Sequence, residues 1–559
     1  MKPLTYEREY HVRQGALMLL GIAGIAALTW RLAMLQVIDN HYLQSQGDAR
    51  TIRTVPMVAK RGLITDRNGE PMAISTPVKS VWVAPTSADL NHPDWIKLAH
   101  ILGMNPAHIT QKIVQKKDKQ FIYLKRHISP MLGKKIEALN IPGVHLQTEY
   151  QRFYPGGEVA AHIIGTTDID HRGAQGLELG LQARLAGESG HYRVLKDGVG
   201  RKVEGLDGKK QAMSGQDIAL SIDSRIQYLA YRELLAAVKK HDAVGGSVVV
   251  LDAKSGEVLA MANQPSFNPN VRNQAADHRF RNRAVTDQFE PGSVLKSFSV
   301  ANILASGKYH SDTEVDTNPG WMKVSGKVVR DGKNHGVLDL SHVIQKSSNV
   351  GIAKLTLELP PESLYDTLRK VGFGQRTSSG FPGESPGYLS AKVTNNPFVL
   401  ATVSFGYGIS VTPLQLAQAY AVLADGGRKH PISFLKTDAG LVSEEQVFEP
   451  HVAEAVNKML QLSITEGTGY RARVPGYNVA GKTGTVRKVS QRCYSDDSHV
   501  AVFAGFAPVE DPKVVIVVMV DDPKSGRYYG GEVAAPVFAN VMFGALRMLQ
   551  IPPHGYTQS

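Results

Sequence analysis

The chain has 559 residues, more than one ordinary domain needs, and 42% of them are hydrophobic, enough for the cores of two or three folded units. Its formal charge of +12 comes from scattered Lys and Arg with no basic run or nucleic-acid motif, so nucleic acid is not an expected partner and anionic lipid or wall polymer accounts for the charge as well. The single cysteine, Cys493, excludes an intrachain disulfide and a multi-cysteine metal site, and no H-E-x-x-H or comparable pair occurs, so no metal and no cofactor are expected.

Residues 1–14 read as a short tail. From Gln14 to Trp30 there is no charge, and apolar character resumes after Arg31 through Ile38. With Trp30 at an interface and Arg31 snorkelling, residues 15–37 are expected to span a bilayer once. A cleaved signal peptide is the rival reading, since Gly24-Ile25-Ala26 has small residues at cleavage spacing, but the apolar stretch continues past it. Lys2, Arg8 and Arg13 favour a cytoplasmic N-terminus, against Arg31, Arg50 and Arg53 on the far side. No cysteine follows the apolar run, which excludes a lipoprotein anchor.

Residues 38–58 read as a polar, partly helical connector, and 59–215 as a separate unit. That unit opens on Arg61-Gly62-Leu63-Ile64-Thr65-Asp66-Arg67-Asn68-Gly69, in which Asn68-Gly69 signals a hairpin turn. Arg152-Phe153-Tyr154-Pro155-Gly156-Gly157 and Gly173-Ala174-Gln175-Gly176-Leu177-Glu178 are further turn-rich segments. Near residue 215 the pattern changes. Asp223 is an N-cap ahead of apolar Ile226, Leu229, Ala230, Leu234, Leu235 and Val238, the spacing of an amphipathic helix. Gly246–Leu251 and Gly256–Met261 read as a hairpin, His499–Ala507 and Val514–Val520 as a second, and Val533–Leu549 as a closing helix. Residues 216–559 are therefore expected to be α+β, a central antiparallel sheet flanked by helices.

Three short motifs in this last unit carry chemistry. Ser293 and Lys296 in Glu290-Pro291-Gly292-Ser293-Val294-Leu295-Lys296 stand at helical spacing on one face, a nucleophile with a base beside it. Lysine serves as a base only when unprotonated, and burial next to a second cation, for which Lys482 is the candidate, favours that state. Pro291-Gly292 suits a helix start, whose free amides can stabilise an oxyanion. Ser347-Ser348-Asn349 follows at 54 positions (347 − 293), and Lys482-Thr483-Gly484-Thr485 at 135 more (482 − 347). On a strand Thr483 and Thr485 share one face and Lys482 takes the other, a placement from which spacing alone does not bring the lysine stem around to the pocket. Gly484 leaves room for a substrate chain against the strand. Decoys exist at Ser433-x-x-Lys436, Ser266-x-Asn268, Lys254-Ser255-Gly256 and Lys524-Ser525-Gly526, but only the trio at 293, 347 and 482 keeps the order S-x-x-K, S-x-N, K-T-G.

That order, with R-G-x-I-x-D-R-N-G matched at every fixed position, resembles the class B penicillin-binding proteins, and Tyr528 to Leu549 resembles the division-specific branch most. The resemblance implies a serine β-lactamase-like transpeptidase domain (216–559) preceded by an elongated, non-catalytic pedestal of the dimerisation type (59–215) and one membrane helix. It implies a peptidoglycan D,D-transpeptidase: Ser293 as nucleophile, Lys296 as general base, Ser347 as proton relay, Asn349 on the donor amide and Lys482 in electrostatic support. Thr483, Gly484 and Thr485 would bind the donor, Ser293 N–H and Thr485 N–H would form the oxyanion hole, and Tyr407, Tyr528 and Tyr529 would line the pocket. Expected partners are a D-Ala-D-Ala stem pentapeptide, an acceptor amine, β-lactams, a polymerase of the FtsW type and other division proteins, with the catalytic domain outside the cytoplasmic membrane. An elongation-type transpeptidase, a D,D-carboxypeptidase, a β-lactamase and a non-catalytic β-lactam sensor or division scaffold are the alternatives.

Overall fold

The computed structural model describes residues 4–196, 202–271, 277–437, 444–490 and 493–554; Lys2 lies outside them. Helix α1, Leu4–Ala33, continues as a π turn over Met34–Ile38 and is followed by a helix over Asn40–Thr51. Arg8–Ile38 is long and apolar enough to cross a membrane, and Leu17, Leu20, Ile25, Leu28 and Trp30 along it are all exposed. Side chains of this kind, with no protein partner over such a length, are at home in lipid.

Contacts divide the chain into two units, residues 1–60, 78–149 and 187–214 in one and residues 61–77, 150–186 and 215–559 in the other. The first unit holds a three-stranded antiparallel sheet of Ile52–Met57, Gly190–Lys196 and Lys202–Lys210. A separate core of Val81, Val83, Leu98, Leu102, Ile109 and Ile122 packs under the helices Trp95–Leu102 and Pro106–Val114. Glu149 is buried there among Ser80, Tyr123, Arg126 and His127.

In the second unit the signature residues near the start of the chain have structural work. Glu178 is fully buried and takes the guanidinium groups of both Arg61 (2.5 Å) and Arg152 (2.6 Å). Such a carboxylate cannot be removed without stranding two buried cations. Asp66 accepts from the amides of Asn68 (2.8 Å) and Glu70 (2.9 Å), closing the predicted hairpin turn, and its other oxygen accepts from Ser224 N (3.1 Å). Segments 61–77 and 150–186 thus belong with the carboxyl-terminal part of the chain, and Ile64–Thr65 pairs in parallel with Ile218–Ala219.

Helix α2 (Ser224–Lys240) starts where Asp223 caps it, its carboxylate accepting from Arg225 N at 3.0 Å, and it buries Ile226, Leu229, Ala230 and Leu234. The strands β1 (Gly245–Asp252), β2 (Val258–Gln264), β3 (Ala480–Ser490), β4 (Cys493–Ala507) and β5 (Val514–Asp521) form one antiparallel sheet in the order β2-β1-β5-β4-β3. Its two faces are both buried, which is why runs such as Val248-Val249-Val250-Leu251 are apolar throughout instead of alternating. Val248, Val250, Phe503 and Val518 pack with α2 and with the closing helix Gly530–Met548, whereas Val249, Leu251, Val502 and Val517 face the opposite core. That opposite core contains helix α3 (Lys296–Ala305), buried from Lys296 through Ile303. A helix buried all round must satisfy its polar groups internally: Ser299 Oγ donates to Ser404 O at 2.6 Å, and Ser297 Oγ pairs with Tyr420 Oη at 2.9 Å.

Candidate active site

The nucleophile turn is set by backbone. Gly292 has φ +56, and a Cβ there would come within 2.6 Å of Val486 Cγ2. Its N–H donates to Gly406 O at 3.0 Å, and a Cβ on Gly406 would lie 2.1 Å from Gly292 O, so both chains must be glycine at the crossing. A 3₁₀ turn over Gly292–Leu295 then feeds α3. It leaves Ser293 half-buried and Lys296 fully buried. As the second residue of that turn, Ser293 has an N–H with no intrahelical acceptor.

The second motif joins the two. Ser347 separates helices α4 (Leu340–Lys346) and α5 (Asn349–Leu357) and adopts φ +62, ψ 39, a left-handed conformation that costs a serine roughly 1–2 kcal/mol. Lys296 Nζ donates to Ser347 O at 2.5 Å and to Ser347 Oγ at 3.2 Å, and Ser347 Oγ donates to Ser293 Oγ at 3.0 Å. The hydrogen-bonded path from the lysine to the nucleophile therefore runs through Ser347. Ser348 caps α5, accepting from Gly351 N at 2.9 Å. Asn349 Nδ2 donates to Arg330 O at 3.0 Å.

The third motif lies on β3, the edge strand of the sheet, beside the nucleophile turn. A Cβ on Gly484 would approach Pro291 O to 2.9 Å, and one on Gly530 would meet Gly484 O at 2.3 Å. Thr483 Oγ1 pairs with Thr468 Oγ1 at 2.8 Å, and Thr485 Oγ1 accepts from Gly530 N at 2.9 Å. Lys482 is fully buried and donates to Thr483 O at 3.4 Å. Its stem does not need to curl around the strand. Its register partner is Ala504, whose face of the sheet belongs to the core around α3, so taking the face opposite the threonines is what aims it at Lys296.

The electrostatics follow from that placement. Lys296 is driven well below the ordinary lysine range, by burial first and by the charge of Lys482 second, with Asp331 opposing. Burial alone brings Lys482 down to about 8. A buried, hydrogen-bonded lysine biased toward its neutral form can take a proton from a serine, and a second buried lysine keeps the region positive.

Residues 246–543 match the family described as the penicillin binding protein transpeptidase domain, and residues 56–220 match the penicillin-binding protein dimerisation domain. The chain belongs to the class B penicillin-binding proteins. It is 43% identical to the probable peptidoglycan D,D-transpeptidase PbpC of Pseudomonas aeruginosa over 534 residues, 95% of this chain and 94% of the relative. It is 39% identical to the peptidoglycan D,D-transpeptidase FtsI of Escherichia coli over 541 residues, 96% and 92% of the two chains. Among solved structures it resembles penicillin binding protein 3 of Mycobacterium tuberculosis complexed with aztreonam, with TM-score 0.69, 30% identity, and coverage of 89% of this chain and 98% of that one.

In this penicillin-binding protein the aromatic candidates fall beside the motifs. Tyr407 follows Gly406, at the crossing with the nucleophile turn, and Gly408 N donates to Glu290 Oε1 at 2.7 Å. Burial and the nearby Glu290 raise the Tyr407 hydroxyl above the usual tyrosine range. Tyr528 stacks on His499 with ring centres 4.1 Å apart and packs at a tilt against Tyr529 at 4.5 Å, just ahead of the Gly530 amide that binds Thr485. The decoys lie elsewhere. Ser433 sits in an extended segment that bridges Glu257, and Lys436 is exposed with Nζ on Arg67 O, so that pair shares no helix face. Ser266 Oγ is used by Glu158 O. One residue of the site escaped sequence reasoning: Asp331, which accepts from Ser348 Oγ at 2.6 Å, Asn349 N at 2.5 Å and Val350 N at 3.0 Å. Its only signal is a turn-like Arg330-Asp331-Gly332 after a strand, and nothing in the chain order ties that turn to Ser348.

Proposed function

We propose that this class B penicillin-binding protein is a peptidoglycan D,D-transpeptidase that cross-links stem peptides at the division septum through a serine acyl-enzyme. The observation that carries the reading is the part-buried Lys296–Ser347–Ser293 hydrogen-bond chain, rooted in a fully buried lysine, beside the Lys482–Thr485 strand. The 3.0 Å contact between the hydroxyls suits donation in either direction. With neutral Lys296 as acceptor, Ser293 passes its proton through Ser347 Oγ to Nζ while its Oγ attacks the carbonyl of the penultimate D-Ala. The oxyanion is held by Ser293 N–H and Thr485 N–H. Collapse breaks the peptide bond, Ser347 delivers the proton to the departing amine, and terminal D-Ala leaves. An acceptor amine then attacks the ester carbon, loses a proton to the same relay, and frees Ser293.

Thr483 and Thr485 bind the donor carboxylate, Asn349 holds the donor amide through its side-chain oxygen, and Tyr407, Tyr528 and Tyr529 wall the pocket. Lys482 supplies positive potential. β-Lactams, whose carbonyl and carboxylate imitate the donor, acylate the same serine. The FtsI relatives support the division role. Residues 59–215 are the pedestal and 216–559 the transpeptidase domain; helix 15–37 anchors the chain in the cytoplasmic membrane with the catalytic domain in the periplasm. No glycan-polymerising segment is apparent in the pedestal sequence, so an FtsW-type polymerase and other division proteins are its partners. With lipid-linked precursor and the cognate polymerase, the protein should yield cross-linked muropeptide dimers that disappear on adding a β-lactam. Release of D-Ala with only monomeric tetrapeptide would instead make it a carboxypeptidase.

A further inference from the structure

Asp331 ends the hairpin of Trp321–Val324 and Lys327–Arg330 and belongs to none of the three motifs. Its carboxylate takes the Ser348 hydroxyl and the amides of Asn349 and Val350, and the neighbouring Arg330 carbonyl takes the Asn349 side chain. Four bonds from two consecutive hairpin residues therefore hold the turn that carries Ser347. That turn needs holding, because Ser347 is left-handed and must keep both its Oγ and its carbonyl on Lys296 Nζ. Charge-assisted bonds from a single carboxylate to two helix-start amides are also a strong form of N-terminal anchoring.

Asp331 has an electrostatic role as well. The charged groups that act on Lys296 are Lys482, from β3, and Asp331, from the hairpin, and they act in opposite senses. His335, on the same loop, is held below its usual range by burial and feels both Asp331 and Lys296.

We propose that Asp331 is a positioning residue for acyl transfer: it fixes the Ser347–Asn349 turn to the hairpin and supplies the negative charge that opposes Lys482 at Lys296. The proposal rests on reading Ser293, Ser347 and Lys296 as the acylating machinery, and its test separates the two. The acylation rate of the full chain by a fluorescent penicillin is measured from pH 5 to 10 for the unmodified protein, Asp331→Asn and Asp331→Ala, with thermal melts alongside. Asp331→Ala should acylate on the order of 10²-fold more slowly on the plateau of the profile, the loss expected when a reacting group is misplaced by about 1 Å, and its acid limb should move in the same direction as that of Asp331→Asn. Asp331→Asn keeps an acceptor oxygen for the two amides but loses the charge. Lys296 then releases its proton more readily, so the acid limb of the profile should move to lower pH. A purely structural aspartate would lower the amplitude and leave the limb in place. An unmoved limb in Asp331→Asn overturns the proposal, as does unmodified acylation by Asp331→Ala; should Asp331→Ala fail to fold, the Asn variant decides. Absence of a Ser293 adduct in the unmodified protein would overturn the transpeptidase reading instead.

Discussion

Lys482 is a fully buried lysine whose only hydrogen bond among the described residues is a long one to Thr483 O. Its ammonium is brought from 10.5 to about 8, so between those values the unfolded chain binds more protons than the folded one and stability rises with pH. Below pH 8 the burial therefore costs about 3 kcal/mol. Lys482→Met should accordingly melt higher than the unmodified protein at pH 7, with the difference shrinking toward pH 10.5, while its acylation is lost; thermal melts at the two pH values check this, and equal or lower melting at pH 7 would contradict it. At this scale much was legible in the sequence: the order of three motifs separated Ser293 from Ser433, because the chemistry constrains residue types and succession. Asp331 was not legible, since its contacts depend on where a hairpin brings its end, and hairpin placement is tertiary.

Among the elements, the sheet and its covering helices were read from β-branched runs and from apolar spacing, and β1, β2, β5, α2 and the closing helix appear where those patterns lie. Strand β4 begins at Cys493, earlier than the apolar run from His499, because Tyr494 and Cys493 pair back to Val489 and Ser490 on β3. Polar residues there follow a partner strand and carry no pattern of their own. The closing helix bears on the site at its start. A Cβ on Gly530 would sit 2.3 Å from Gly484 O and 2.4 Å from Val502 O, both backbone atoms that cannot yield cheaply. Gly530→Ala should then push the helix start off β3, costing about 1–3 kcal/mol and slowing acylation of Ser293 by breaking the amide bond to Thr485. Denaturant unfolding and penicillin labelling measure the two effects, and a variant with unchanged labelling would show that this contact does not position the strand.

For the whole molecule, chain order misleads about which segments pack together. Arg61, Arg152 and Glu178 are far apart in sequence and meet in one buried network, which no local pattern predicts. The other unit has its own acid-sensitive centre. Burial works to raise the Glu149 carboxyl, but hydrogen bonds from His127, Ser80, Tyr123 and Arg126 outweigh it and bring the group from 4.5 to about 2. A depressed carboxylate stabilises the fold above pH 4.5, and that contribution is lost as pH falls toward 2. Glu149→Gln should therefore lower the melting temperature at pH 7 and converge with the unmodified protein near pH 2, as a pH series of melts would reveal. The central claim is that one serine, Ser293, is the acyl carrier of this penicillin-binding protein. It is tested most directly by intact-mass and peptide mass spectrometry of the full chain after exposure to a β-lactam. A single, long-lived adduct on the Ser293 peptide, absent from Ser293→Ala and retained in Ser433→Ala, is the expected result. Rapid turnover of the β-lactam, an adduct on Ser433, or no adduct at all would contradict it.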